Sequence, residues 1–108
     1  DPSMSLVPPS AQFRTSYTFL APDTYDEHWI NLIVDRPTTT IELSDQVVRE
    51  FLPIDGTEWF YQRVQISAGI HIAKSEHPFG VWVYGFGQYT SYMYPAGLDL
   101  NPINDVMP

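Results

Sequence analysis

The run Gly69 to Leu100, GIHIAKSEHPFGVWVYGFGQYTSYMYPAGLDL, decides the class of fold. Ile70 to Lys74 and Phe79 to Phe86 are β-branched and aromatic runs, and Ser75 to Pro78 between them has turn composition, so the pattern predicts two strands joined by a turn. Alternation along the second places Phe79, Val81 and Val83 on one face and Trp82 and Tyr84 on the other. Two arrangements stand for Trp82 and Tyr84: buried if both faces of the strand are covered, or presented to a partner if one face is open. Gly85 and Gly87 flank Phe86, where a bend or bulge is expected. Tyr89 to Tyr94 reads as a last strand, and Gly97 after Pro95-Ala96 suits a turn position with positive φ.

The same short-strand grammar extends upstream. In Phe13 to Leu20, Phe13, Thr15, Tyr17 and Phe19 alternate with Arg14, Ser16 and Thr18, the period of a half-buried strand. Ala21 to Glu27 is an acidic turn. His28 to Val34 (HWINLIV) is almost wholly apolar, as in a central strand covered on both faces. After Asp35-Arg36-Pro37, Thr38 to Leu43 and Gln46 to Val48 form a hairpin across Ser44-Asp45. Arg49 to Glu58 is a loop carrying an Asp55-Gly56 turn pair. Trp59 to Ala68 is a strand with Val64, Ile66 and Ala68 on one face. The single helix candidate is Asp45 to Phe51. About eight short strands and no amphipathic helix define an all-β chain, an antiparallel β-sandwich of jelly-roll type. It is organised as an extended arm over 1–10, one domain over 11–100, and a second arm or linker stub over 101–108.

Composition narrows the function. The 108 residues carry 13 acidic and 5 basic side chains, a net charge of -8, so the basic footprint that nucleic acid or an anionic membrane requires is missing. No apolar run reaches the roughly 20 residues of a transmembrane helix. With no cysteine, neither a disulfide framework nor a thiolate site can form. No Asn-x-Ser/Thr sequon is present. The chain begins at Asp1 with no initiator Met and no signal peptide, as expected of a processed or excised piece.

Candidate chemistry is sparse. His71 and His77 sit six residues apart and would face each other across a turn, but no carboxylate completes a metal motif. His71 alternates with Ile70 and Ile72, which directs it away from the core. No Gly-x-Ser-x-Gly elbow or Ser-x-x-Lys exists, and Ser91 has no base near it in sequence, so an enzyme is not expected. Asp99, Asn101 and Asp105 are the better of two oxygen-rich clusters for calcium; otherwise no cofactor is implied. Aromatics remain, at 15% of the chain. Trp82, Tyr84, Tyr89 and Tyr92 would form a platform able to stack on a sugar or anchor a protein, with Trp29, His28 and Tyr25 contributing from a neighbouring loop.

Several of these residues resemble a known family. The Gly69-x-His71 step, Pro78 to Val81, Tyr84 to Phe86 and Ser91 to Gly97 resemble the N-terminal region of the IgG Fc-binding protein and its bacterial relatives. Tyr17 to Pro22, Trp29 to Val34 and Ile41 to Val48 are similar to its upstream strands, although Gln46 follows Asp45 where that family has a hairpin glycine. The resemblance implies a non-enzymatic β-rich module of a secreted or cell-surface protein. Its expected work is adhesion to a glycan or an extracellular protein. The alternative is a spacer or self-assembling subunit that docks on neighbouring domains or copies of itself through its proline-rich arms. Binding of Fc is not carried over by these residues.

Overall fold

A computed structural model describes residues 12–97. Eight strands form, all paired antiparallel: β1 (Arg14–Ala21), β2 (Glu27–Val34), β3 (Ile41–Leu43), β4 (Gln46–Val48), β5 (Leu52–Pro53), β6 (Phe60–Ile66), β7 (Gly69–Phe86) and β8 (Ser91–Pro95). No α-helix occurs among the described residues, and Gln46–Val48 of the helix candidate is strand β4. The proposed arms and the calcium candidates Asp99, Asn101 and Asp105 lie outside the described residues.

The strand β7 organises everything else. Ile70 to Lys74 and Phe79 to Phe86 are not two strands but parts of one, 18 residues long. Its first half pairs with β1 on one side and with the β3–β4 hairpin on the other. Its second half pairs with β2 and β8, and β6 and β5 continue outward from β2. The two layers expected of a sandwich are thus the halves of a single sheet curled into a half-barrel, with β7 passing from one into the other.

The residues that read as a turn do mark an irregularity. Arg14 pairs with Phe79 but Ser16 pairs with Lys74, so Ser75–Pro78 bulges out of register against β1. A bulge is where proline, lacking an N–H, is tolerated inside a strand. The Tyr17 hydroxyl repairs the gap by accepting from the Arg14 N–H at 3.0 Å and donating to the Phe79 carbonyl. Thr15, expected inward with Tyr17, is exposed beside this bulge.

Inside the curl, Phe79, Val81, Val83, Ile30, Leu32, Val34 and Ile41 are fully buried, packed with Tyr17, Phe19, Leu43 and Ala73. Each fully buried Val, Leu, Ile or Phe among them contributes about 1.5–3 kcal/mol by leaving water, and these contacts hold the two halves together. Val64 and Ile66 reach this core from β6, whereas Ala68 is an exposed turn residue beyond the strand's end. His71 belongs to the inner side too. Its ring stacks on Phe19 at 5.7 Å, while Ile70 and Ile72 point out to solvent, the reverse of the expected orientation. The inversion arises because β7 is continuous, so His71 shares the phase of Ala73 and Phe79.

One turn expectation holds with altered detail, and another does not. At Ser44-Asp45 the missing glycine is replaced by Ser44 itself, which adopts φ 45°. Its N–H donates to the Ile72 carbonyl at 2.8 Å and its Oγ accepts from the Ile72 N–H at 3.1 Å, fixing the hairpin on β7. Gly85, by contrast, is not at a bend. It lies in regular pairing between His28 and Tyr92, and a Cβ there would come 2.4 Å from the Tyr92 ring and 2.6 Å from the Glu27 carbonyl. Close approach, not backbone flexure, requires glycine at this position.

Candidate functional site

The outer face of the second half-sheet is the candidate site. Because β2, β7 and β8 are in register, Trp29 lies opposite Tyr84 and Tyr84 opposite Met93. In the adjacent row Arg63, Asn31, Trp82 and Pro95 line up, and Glu27, Phe86 and Ser91 form the next. The opposite phase of β7 fills the core, so this phase must face outward. Trp29, Trp82 and Tyr84 are half-buried, and Phe86 and Met93 are each 46% exposed.

Hydrogen bonding orients part of this face. The Tyr84 hydroxyl donates to Asn31 Oδ1 at 3.0 Å, and Asn31 is itself buried. Burial holds the Tyr84 phenol above its ordinary pKa, with the Arg63 charge acting in the opposite sense. The Trp82 Nε1 is enclosed with no hydrogen-bond partner. At the other end Phe13 covers Gly80 and packs edge-on against Trp59 at 5.3 Å. The face is therefore a semi-rigid apolar surface with a few fixed polar points.

The other expected site residues fall elsewhere. Tyr92 lies on the inner side, 4.8 Å from the Tyr25 ring and 6.1 Å from the Tyr94 ring. Its hydroxyl lies 2.9 Å from His28 Nδ1, and burial together with the neighbouring Tyr94 and Tyr25 phenols pushes its pKa up to about 12. His28 is buried within strand β2, not in a loop, and its Nε2 has no partner. Trp29 is likewise a β2 residue. Tyr89 stands alone at the β7–β8 turn, 92% exposed. Trp29, Trp82 and Tyr84 are thus brought together, while Tyr25, His28 and Tyr92 form a separate internal cluster.

No group of three or more potential metal ligands occurs among the described residues. His71 and His77 lie on one strand, with the Ser75–Pro78 bulge in that interval, so at 3.3 Å per residue they are at most about 20 Å apart and do not face each other across a turn. A polar cleft of about 420 Å³ lies beside the bulge, lined by Thr38, Thr39, Thr40, Glu42, Lys74, Ser75, Glu76 and His77. Apart from His77 no sequence signal pointed to it, since threonines and single charges carry no motif. Met93 was also missed, although its alternation with Tyr92 and Tyr94 places it on the outer face.

A model of the family described as IgGFc binding protein matches residues 1–85. The chain belongs to this family. The matched span runs through β6 and nearly all of β7; the Ser91 to Gly97 segment of the resemblance lies beyond it. Neither the curated proteins nor the solved structures contain a match to the chain. No helix among the described residues is long and apolar enough to cross a membrane.

Proposed function

We propose that this IgGFc-binding-family chain is a non-enzymatic, extracellular binding module that engages a protein partner through the outer face of β2, β7 and β8. The observation that carries the reading is the row Trp29–Tyr84–Met93, with Trp82 and Phe86 beside it, held in register on an open sheet face. Aromatic and methionine side chains concentrate binding energy at protein interfaces, because large rigid surfaces bury area at small entropic cost. Arg63, Glu27 and Ser91 lie in the rows flanking Trp29–Tyr84–Met93, and Asn31 Oδ1 is already taken by Tyr84. A protein partner is therefore favoured over a glycan. The family's description makes an antibody Fc fragment one reasonable member of a test panel.

The test is a binding screen of the domain against extracellular proteins, Fc included, beside a glycan array. A protein ligand lost on Trp29→Ala or Met93→Ala, with the fold intact by circular dichroism, is the expected result. Failure to bind any protein, or binding indifferent to both variants, removes this face from consideration. A sugar ligand lost in the same variants would keep the face and change the partner class.

A further inference from the structure

The half-barrel is open along one side, where β4, at the rim of the first half-sheet, faces β6 in the second. The ladder on the outer edge of β6 is only a stump: β5 pairs with it at Leu52–Tyr61 and Pro53–Phe60, and stops. From Gln62 to Ile66 that edge has no strand partner among the described residues. A groove of about 580 Å³ runs there between Gln46–Glu50 and Gln62–Gln65, and a second hollow of about 280 Å³ continues it past Asp45 to Ile66 and His71.

One side chain already does in this groove what a strand would do. Gln62 Oε1 accepts from the Arg63 N–H at 2.9 Å, and Gln62 Nε2 donates to the Glu50 carbonyl at 2.8 Å. A primary amide carries the same donor and acceptor as a peptide unit. Gln62 thus bridges the two sides with a single peptide-like group where an inserted strand would supply a row of them. Because edge groups alternate along a strand, the Arg63 N–H pointing into the groove places that of Gln65 on the same side.

We propose that this groove accepts an extended, acidic segment of another polypeptide, which adds as a strand to β6 where β5 leaves off. Charge selects the occupant. Arg49 and Arg63 border the groove, and neither is in a salt bridge among the described residues, where the single ion pair is Arg36–Asp35. In the groove's lining these two arginines outnumber the one carboxylate, Glu50, leaving a net charge of +1 on a body of net charge -8, while Asp45 lies in the adjoining hollow. Carboxylates on the outward positions of the incoming strand would meet these arginines. Small apolar side chains on its inward positions would cover Val48, Val64 and Ile66. Main-chain bonds supply affinity in strand addition and alternate side chains supply specificity.

The probe is a fluorescent peptide of alternating valine and glutamate, compared with its lysine counterpart and with a copy N-methylated at alternate amides. Saturable binding of the glutamate peptide is expected, at least about tenfold tighter than the lysine peptide and weakening with salt. New amide-exchange protection should appear across Gln62 to Ile66. The double variant Arg49→Glu, Arg63→Glu, at exposed positions, should invert the charge preference. Gln62→Ala should tighten binding by removing the internal competitor; a purely structural Gln62 would only lower the melting temperature. Equal binding of the N-methylated peptide, no saturable binding, or protection confined to the Trp29–Tyr84 face overturns the proposal. So does a spontaneous homodimer protected at the same β6 amides, which would make the occupant a second copy of this chain.

Discussion

The Tyr94 hydroxyl holds both backbone polar groups of Leu20, accepting from its N–H at 3.1 Å and donating to its carbonyl. Tyr94 is on β8 and Leu20 on β1, the outermost strands of the two half-sheets on the side opposite the open groove. One side chain closes that seam as Gln62 spans the other. Tyr17 plays the same part at the bulge, so three seams or gaps of this curled sheet depend on a single polar group.

The cost of removing each hydroxyl follows from its exposure. Tyr94→Phe frees Leu20 groups that water can reach, and should cost about 0.5–1.5 kcal/mol. Tyr17→Phe strands the Phe79 carbonyl in the core and should cost about 1–3 kcal/mol. Chemical denaturation of the two variants beside wild type checks the order. A larger loss for Tyr94→Phe would refute the assignment of Tyr17 as the buried bridge.

Opposite phases of β7 should respond differently to truncation. Phe79 is fully buried, and Phe79→Ala should cost about 3–5 kcal/mol, enough to unfold a marginal domain. Phe86, 46% exposed on the candidate binding face, should lose less than about 1 kcal/mol when changed to Ala. Thermal melts of both variants decide the matter. Comparable losses would mean the outer face is covered in the folded protein and is no docking surface.

The strand content, the buried phase of Phe79, Val81 and Val83 and the turns at Ser44-Asp45, Asp55-Gly56 and Gly97 were legible in the sequence because local rules govern them. Period-two alternation and positive-φ positions are set within a few residues. The continuity of β7 was not legible: Ser75–Pro78 has turn composition, and its bulge becomes a strand segment only because β1 and Tyr17 bridge it. His71 was placed on the wrong side for the same reason, since its phase is inherited through that bulge from Phe79. At the candidate site, alternation joined Trp82 to Tyr84, but Trp29 across from Tyr84 depends on strand register, a long-range property. The separation of Tyr92 from that group follows from pairing Gly85 with Tyr92.

Gly85 gives a steric test of that pairing. A methyl group there would press on the Tyr92 ring and on the Glu27 main-chain carbonyl, and the backbone contact cannot move aside cheaply. Gly85→Ala should cost about 1–3 kcal/mol, the range of overpacked cores. Combining it with Tyr92→Ala should recover only part of the loss, because the Glu27 contact remains. Full recovery in the double variant would show that the ring alone sets the requirement for glycine.

Alkaline pH should unfold the domain through its phenols. Tyr92 is pushed up to about 12 by burial first and by the nearby Tyr94 and Tyr25 second, and burial raises Tyr17, Tyr84 and Tyr94 as well. In the unfolded chain these phenols release their protons near the ordinary value of 10.0, whereas the folded chain keeps them. Between these values the folded state holds more protons than the unfolded one, so stability falls as pH rises. This contribution is fully present below pH 10 and is lost progressively toward about 12. Melting temperature followed against pH, beside a phenolate absorbance titration of native and denatured protein, measures both sides of the linkage. The native curve should lag the denatured one, and the melting temperature should drop over that interval. Coincident titration curves would show that Tyr92 and its neighbours are open to solvent, and would dissolve the inner tyrosine cluster that separates them from the Trp29–Tyr84 face.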